Sequence, residues 1–448
     1  YSGSQHNEIT FSPDGNQFAF IRYSAEAGET AAVIVADADG TGERILATSK
    51  RPDIFLRSAA WSPDGKVIAC ATLTSAGAQK VVTVRVSDGV VSAIPSPRWN
   101  HVAQVAWQPD AAGLLVIAAD DNSALLQIWQ LSYPNGAARN ITNDSNYYDS
   151  INLTADGRGL VAVRLEQVAH IWIMLSEETN QAKQLTHGFD KYDGIIGLGW
   201  IPDGNIVYEA APRGKGETWM IDADGRNSKQ IVNDSGATST SPDGNYLVFQ
   251  SRDAEGNGLF RLNISEGEKK RLTTGTDLWA TFSPDGKWVV FTRYANQVAL
   301  WKVPIEGGEA IKLTNVSGYP VAPTISPDGK LIAFHWAKND RRQLSEIALV
   351  PFDGGEVIKA FNFPMQYWQS EGKDALQWTP DAQAINFIAH RDGVSNILRQ
   401  PIDGSPSVQV TNFQAGRIFN FAYSPDGRQL ALSRGTLNRD VILITDPF

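Results

Sequence analysis

The sequence predicts an all-β protein made of repeated four-stranded antiparallel sheets, and three observations lead to this prediction. The tetrapeptide Ser-Pro-Asp-Gly, or a near copy, occurs ten times from end to end of the 448 residues. Successive copies are spaced in the forties or near them, which is the period of a propeller blade. Short apolar runs rich in β-branched and aromatic residues flank each copy and are typical of strands. We therefore expect a β-propeller whose repeats are centred on Asp14, Asp64, Asp110, Asp156, Asp203, Asp243, Asp285, Asp328, Asp381 and Asp426.

Each repeat is predicted to contain four strands, here called A, B, C and D, with the tetrapeptide between A and B. In the seventh repeat, B is predicted at residues 288–291, C at 298–303 and D at 310–314. Ser at the first turn position can bond to the backbone, Pro presets φ, and Gly supplies the left-handed residue. Two copies end in Ala111 and Ala382, which lack that freedom. There we expect a shifted turn, with Gly113 taking the role near Ala111.

The ten repeats cover residues 1–448 without a linker, which favours one ring of ten blades. Two smaller propellers in tandem are the alternative, since ten blades exceed the usual number. The last repeat shows only strands B (429–433) and C (441–445) after its tetrapeptide. We expect residues upstream of Tyr1 to supply its missing D strand.

The composition limits the classes of partner. The formal net charge is −10 and the pI is about 5.2, which argues against a nucleic-acid-binding surface and against attraction to anionic membranes. No apolar run approaches the roughly 18 residues of a membrane-spanning helix. Cys70, the only cysteine, is predicted to be a small buried apolar side chain.

The sequence contains no motif that indicates catalysis. A serine-hydrolase elbow, Gly-x-Ser-x-Gly, is absent, and no two of the six histidines have zinc-ligand spacing. Two Asp-Ala-Asp-Gly segments, at 37–40 and 222–225, lack the later Glu of a calcium loop and are read as C–D turns. We therefore predict no catalytic residues, no metal and no cofactor.

The loops that lead from strand D into the next strand A are varied and carry aromatic and arginine side chains. Such side chains offer rigid contact area with a polar group at the end, as recognition surfaces do. The alternative is that they wedge between blades and cap the core. The predicted ligand- or partner-binding residues are Phe55, Arg98, Trp99, Tyr147, Tyr148, Phe189, Tyr192, Trp279, Tyr319, Tyr367, Trp368 and Arg417.

The repeat resembles the TolB-type propeller repeat. The resemblance lies in the Ser-Pro-Asp-Gly hairpins, the Asp-Gly C–D turns and the Leu-Thr ends of strand D, at Leu185-Thr186, Leu272-Thr273 and Leu313-Thr314. It covers the whole chain and implies a bacterial protein-interaction module in the periplasm or at the cell surface.

The C-terminal segment 433–444 is similar to the end of the sensor propellers found at the C-termini of bacterial transmembrane serine/threonine kinases and winged-helix regulators. That resemblance implies a non-catalytic sensor that binds a protein, a small molecule or a glycan on the periplasmic or extracellular side. It implies neither nucleic-acid binding nor membrane insertion by this chain.

Two alternative functions stay open at the level of sequence. One is a polysaccharide lyase or hydrolase acting at the mouth of the channel, with Asp149, Asp190, Asp193, His101 and His187 as the candidate groups. The other is an architectural scaffold to which partner proteins dock at the rim. Two carboxylates within about 10 Å of each other in a deep pocket would support the enzyme.

Overall fold

The computed structural model describes residues 9–24, 30–75, 77–120, 125–154, 156–175, 181–188, 191–210, 216–233, 235–253, 256–295, 297–338, 346–362 and 376–445. The chain divides into two compact units. The first contains the residues up to Glu166 together with those from Asn438 onward, and the second runs from Gln167 to Leu437. The described residues form strands, turns and loops and include no helix of a length and hydropathy that would cross a membrane.

The first unit is built from antiparallel strands in chain order. They are β1 (Thr10–Phe11), β2 (Gln17–Ser24), β3 (Thr30–Asp37), β4 (Arg44–Lys50), β5 (Phe55–Trp61), β6 (Val67–Leu73), β7 (Gln79–Arg85), β8 (Val91–Ala93), β9 (Trp99–Trp107), β10 (Gly113–Asp120), β11 (Gln127–Ser132), β12 (Ala138–Asn140), β13 (Tyr147–Leu153) and the first half of β14 (Gly159–Leu175). Strands β1–β4 form one sheet, and a single residue pair, Gln79 with Trp99, joins β5–β8 to β9–β12.

The second unit continues the same pattern. Its strands are the second half of β14, β15 (Lys183–Gln184), β16 (Leu198–Trp200), β17 (Asn205–Ala210), β18 (Glu217–Asp222), β19 (Lys229–Asn233), β20 (Gly236–Thr240), β21 (Tyr246–Asp253), β22 (Gly256–Asn263), β23 (Lys269–Arg271), β24 (Thr276–Phe282), β25 (Trp288–Tyr294), β26 (Ala299–Pro304), β27 (Ile311–Lys312), β28 (Tyr319–Ile325), β29 (Leu331–Ala337), β30 (Glu346–Pro351), β31 (Lys359–Asn362), β32 (Leu376–Trp378), β33 (Ala384–Arg391), β34 (Val394–Pro401), β35 (Val408–Gln409), β36 (Arg417–Tyr423) and the first half of β37 (Gln429–Thr445). Strands β16 to β35 form five consecutive four-stranded sheets.

The tetrapeptide closes the A–B hairpin through hydrogen bonds of its own side chains. In the seventh repeat the Ser283 hydroxyl donates to Asp285 Oδ1 at 2.6 Å and accepts from the Trp288 amide at 2.9 Å. The Lys287 amide donates to the same carboxylate oxygen at 3.1 Å. The Ser283 hydrogen bond is the largest of the effects that lower the pKa of Asp285, so the turn stabilises the ionised carboxylate.

The two alanine copies keep the same turn, which corrects the expectation of a shifted one. Ala111 and Ala382 themselves adopt positive φ angles of 56° and 58°. Their amides donate to Gln108 and Thr379 at 3.0 and 2.9 Å, the bond that glycine makes in the other copies. The surrounding strand pairing therefore holds an L-residue in the left-handed region, at a cost of about 1 to 2 kcal/mol.

The strand that follows each turn places a large side chain in the core between sheets. Phe249, Phe291 and Phe334 are completely buried, and each stands six residues after the aspartate of its repeat. Each belongs to a cluster that joins its own sheet to a neighbouring one. Burying one such ring contributes about 2 kcal/mol, so the repeated spacing distributes the stabilisation over the sheet interfaces.

Two repeats depart from the predicted B–C hairpin. Strands β14 and β37 each continue for 17 residues, and they pair with each other. Gly435 lies where the two backbones come closest, since a Cβ added there would stand 1.8 Å from the Val168 carbonyl oxygen. A glycine inside a strand permits this approach, so residues 429–433 and 441–445 belong to one strand and not to a hairpin.

These long strands complete the sixth sheet of the second unit. Its order is β36, the first half of β37, the second half of β14, then β15. The strands that complete the last repeat in this unit therefore come from the middle of the chain. Pairing the last strands of a unit with its first ones removes the two free sheet edges that would otherwise remain.

The six sheets of the second unit contact one another in a closed series. Strand β16 contacts β20, β20 contacts β24, β24 contacts β28 and β28 contacts β32. Strand β36 contacts β33 and β34 on one side and β16 on the other. The Trp200 indole, in β16, donates to the Ala422 carbonyl in β36 at 3.0 Å. The single ring of ten blades is therefore not confirmed, because the described second unit closes on itself with six.

Candidate functional site

Three of the predicted binding residues are buried in the first unit. Phe55, Trp99 and Tyr148 are 3%, 0% and 2% exposed and belong to its hydrophobic clusters. The Trp99 ring packs edge-on against Trp129 at 6.2 Å, and the Tyr148 hydroxyl donates to Asp144 at 2.8 Å. Their burial corrects the expectation that they lie on an exposed rim and agrees with the alternative, in which such aromatics cap the core.

The other predicted residues lie at or near the surface where the structure describes them. Arg98 is exposed, and Tyr147, Tyr192 and Arg417 are half-buried. Phe189, Tyr367 and Trp368 lie outside the described residues.

Trp279 and Tyr319 come together in the second unit. Both are half-buried and pack with Tyr294 against Val321 and Ala337. Trp279 has a positive φ of 52° at an irregularity of β24, and its ring stands 5.8 Å from that of Tyr294. A β-bulge re-aims a side chain in this way.

A pocket of about 120 Å³ in the second unit contains one predicted binding residue, Tyr192. It lies between the connection from β15 to β16 and the sheet β16–β19. Residues of the connection supply one wall, and strands β17 and β18 supply Tyr208, Ala210, Glu217 and Trp219. Its lining is Lys191, Tyr192, Asp193, Tyr208, Ala210, Glu217, Trp219 and Ser228.

The backbone holds Asp193 firmly in this pocket. Its amide donates to the Ala169 carbonyl at 3.1 Å, and its carbonyl accepts from the Ser433 hydroxyl at 2.6 Å. The next residue, Gly194, has φ +75°, and a Cβ there would stand 2.7 Å from Ile171 Cδ1. The connection therefore turns at the one residue type that fits, which fixes the position of the aspartate before it.

The Asp193 carboxylate is buried and has no hydrogen-bond partner in the part of the chain that the structure describes. The residue is 0% exposed, and neither carboxylate oxygen makes a hydrogen bond. Burial raises the pKa of Asp193, while the Thr186 side chain and the Lys191 charge oppose that rise. Thr186 does not reach hydrogen-bond geometry with either oxygen. A carboxylate in this position is costly to ionise, and a bound donor or cation would relieve that cost.

Three aromatic residues line the pocket together with Asp193. Tyr208 is 4% exposed, and burial raises its pKa to about 12, with the Asp193 charge acting in the same direction. The Trp219 indole donates to the Glu217 carboxylate at 3.0 Å, which fixes both side chains at the edge of the pocket. Tyr192 completes the lining from the connecting segment.

A larger pocket of about 410 Å³ lies elsewhere in the second unit, beside Arg399 and Tyr423. Its polar groups already have protein partners: Arg399 donates to the Asn386 amide oxygen at 3.1 Å, and Asn386 donates to the Tyr423 hydroxyl at 3.0 Å. The Asp193 pocket therefore offers the stronger chemical reason to bind a ligand, although it is smaller.

The candidate groups of the enzyme alternative are not gathered within one unit. Asp149 and His101 belong to the first unit, Asp193 and His187 to the second, and Asp190 lies outside the described residues. Among the described side chains, no three His, Cys, Asp or Glu residues are placed to hold a metal ion.

The repeat pattern and the sheets can be compared with known families. A family model described as the TolB beta propeller domain matches residues 7–240, which is just over half of the chain. The chain belongs to the TolB beta propeller domain family. The matched segment runs from the first unit into the second, so strands of both units fall within it.

Curated relatives share part of this TolB-family chain. An uncharacterized protein of Agrobacterium fabrum is 23% identical over 257 residues, covering 52% of this chain and 83% of the relative. A TolB homolog of Chlorobium chlorochromatii is 26% identical over 161 residues, or 35% of this chain and 37% of the relative. The chain thus covers only about a third of the length of that TolB relative.

Solved structures resemble the TolB-family chain more loosely. TolB from Acinetobacter baumannii aligns with a TM-score of 0.32 and 17% identity, over 75% of this chain and 77% of that one. An oligogalacturonate lyase in complex with manganese aligns with a TM-score of 0.33 and 13% identity, over 85% and 96%. Both TM-scores are low, and no argument rests on them.

Most of the pocket of this TolB-family propeller escaped the sequence-based prediction. Tyr208, Glu217 and Trp219 lie on β17 and β18, whereas the prediction considered only loops. Strand periodicity marks Tyr208 and Trp219 as core side chains, so their residue types alone do not single them out. Asp193 was named for the enzyme alternative, and its lack of a partner is visible only in three dimensions.

Proposed function

We propose that this chain is a non-catalytic binding propeller that serves as the extracytoplasmic sensor module of a larger bacterial receptor. The observation that carries the proposal is the Asp193 pocket, which combines aromatic walls with a buried polar group that has no protein partner. Concave sites that combine aromatic side chains with a few placed polar groups are a usual form of ligand site.

Family membership supports a binding role. Relatives of this chain include Tol-Pal system proteins TolB of Wolinella succinogenes, 28% identical over 145 residues, and of Francisella tularensis, 26% identical over 193 residues. The net charge of −10 fits a protein or small-molecule ligand better than a nucleic acid. The similarity of segment 433–444 to sensor propellers supports a place beside a kinase or a transcription regulator, on the periplasmic or extracellular face of the membrane.

Ligand-induced stabilisation of the full chain tests the binding role. A panel of sugars, amino acids, organic cations and nucleosides is screened by thermal unfolding, while NMR follows whether each compound is chemically altered. We expect at least one compound to raise the midpoint and to remain unaltered, because a ligand at 100 times its Kd stabilises a protein by about 2.7 kcal/mol. The variants Tyr208→Ala and Trp219→Ala should lose that stabilisation.

The same screen distinguishes the alternatives. Conversion of an acidic polysaccharide would favour the lyase or hydrolase, and binding of partner proteins alone, unaffected by pocket variants, would favour the scaffold. Location is tested separately, by fusing a phosphatase that is active only outside the cytoplasm to the gene that encodes this chain. An inactive fusion that is nevertheless made in full would contradict the extracytoplasmic assignment.

A further inference from the structure

We propose that the Asp193 pocket takes the ammonium group of a small organic cation. The proposal rests on the binding function above and adds to it the chemical class of the ligand. The observations that carry it are the unpartnered carboxylate, the aromatic walls and the charges at the pocket.

The buried carboxylate of Asp193, a residue that lines the pocket, selects for a positive charge or a strong donor. Asp193 is fully buried with both oxygens unpartnered, whereas buried charges in proteins are ordinarily paired. Lys191 lines the same pocket and its charge acts on Asp193, but it makes no hydrogen bond to either oxygen. An ammonium group seated there would supply a counter-charge, and a primary ammonium would add up to three N–H donors.

The walls of the pocket suit the same group. Tyr192, Tyr208 and Trp219 surround the space, and the negative faces of such rings attract cations. Two tyrosines and a tryptophan are the side chains that proteins use to enclose alkylated ammonium ions. A neutral ligand of the same shape would gain the apolar contact but not this electrostatic attraction.

The remaining charges favour a cation over an anion. The pocket is lined by two carboxylates, Asp193 and Glu217, and by one ammonium, Lys191. Glu217 accepts a hydrogen bond from the Trp219 indole N–H at 3.0 Å, which holds these two lining side chains together. An anion would therefore meet two charges of its own sign and one of the opposite sign. A cation would meet two charges of the opposite sign and one of its own.

Choline and its neutral isostere, 3,3-dimethylbutan-1-ol, test the charge requirement directly. Each is titrated into the full chain by calorimetry at neutral pH, with ionic strength kept constant by sodium chloride. We expect choline to bind about tenfold or more tightly than the isostere, since a cation against aromatic faces and a buried carboxylate gains more than about 1.4 kcal/mol. Acetate should show no binding.

Substitutions locate the site. Asp193→Asn should reduce choline affinity about tenfold or more. The control, Asp224→Asn, makes the same charge change at an exposed turn of the sheet β16–β19 and should leave the affinity unchanged. Tyr192→Leu should weaken binding while Tyr192→Phe, which keeps the ring face, should not. Thermal unfolding of each variant confirms that it is folded.

The outcomes separate this inference from the proposed function. Equal affinity for choline and the isostere, or an unchanged affinity in folded Asp193→Asn, overturns the ammonium site. Binding of a neutral sugar at the same pocket would also overturn it while leaving the binding function intact. Failure of every compound class to bind would overturn both.

Discussion

Arg293 binds the buried carboxylate of Asp277 with two parallel hydrogen bonds, from Nε and Nη2, each 2.8 Å long. Asp277 is completely buried, and the guanidinium also lies over the rings of Trp301 and Phe291 at 4.8 and 5.3 Å. The Asp277 hydrogen bonds raise the pKa of Arg293. This pair in β24 and β25 gives one buried aspartate a full set of partners, whereas Asp193, the other buried aspartate among the described residues, makes no hydrogen bond through its carboxylate.

Removing one member of this pair should destabilise the second unit strongly. We expect Asp277→Ala to cost about 3 kcal/mol, because it leaves a largely buried guanidinium without its partner. Urea unfolding of the full chain measures this loss. As the control, Asp224→Ala breaks an exposed pair with Arg226 of 3.3 Å and should cost less than about 1 kcal/mol. Equal losses in the two variants would contradict the prediction.

The opposite result is expected at Asp193. Asp193→Asn should stabilise the folded chain at neutral pH by about 1 kcal/mol, since a buried, unpartnered carboxylate costs more than an amide in the same place. The matched variant Asp277→Asn should destabilise it, because that carboxylate is satisfied. A destabilised Asp193→Asn would show that the carboxylate has a protein partner in solution.

The effect of Asp193 should also depend on pH in a defined direction. Its pKa in the folded state is raised above the ordinary value of 3.8, so the folded chain binds this proton more tightly than the unfolded chain does. The contribution of Asp193 to the free energy of unfolding therefore falls as pH rises from 3.8 through the raised pKa. The stability difference between Asp193→Asn and wild type should be negligible below this range and constant above it. Urea unfolding at a series of pH values measures it, and a difference that grew on acidification would contradict the assignment.

The fold could be predicted from sequence wherever the information is local. Ser283, Asp285 and Gly286 specify their hairpin within four residues, and the same chemistry recurs in the other repeats. The pairing of β14 with β37 could not be predicted, because it joins segments more than 250 residues apart. The repeats look alike in sequence, so the sequence does not show which two of them pair with each other to close a unit.

The pocket could be predicted only in part, for the same physical reason. The sequence indicates that Tyr192 and Asp193 lie in a loop between strands D and A. It does not indicate that two strand residues, the buried Tyr208 and the half-buried Trp219, face that loop. Nor can it distinguish Asp277, which has its arginine, from Asp193, which has none.

Cys70 provides a probe of the first unit. It is fully buried in β6, and burial raises the pKa of its thiol to about 12. We expect a disulfide reagent to modify it only after the surrounding sheets open, because the thiolate is the reactive form. The labelling rate, measured against urea concentration, should follow the unfolding of the first unit. Rapid labelling of the native chain would contradict the burial.

The alanine copies of the tetrapeptide offer a stabilising substitution. Ala382 has a φ of 58° in a turn where most other copies have glycine, and its amide makes the same hydrogen bond. Ala382→Gly should therefore raise the free energy of unfolding, because the relief of left-handed strain, about 1 to 2 kcal/mol, exceeds the added entropy of the unfolded chain, about 0.4 to 1 kcal/mol.

The reverse substitution at an equivalent position, Gly286→Ala, introduces the same strain at a φ of 70° and should lower the free energy of unfolding by about 1 kcal/mol. Both are measured by urea unfolding of the full chain. If Ala382→Gly destabilised the chain while Gly286→Ala did not, the left-handed turn would not exist at residue 382.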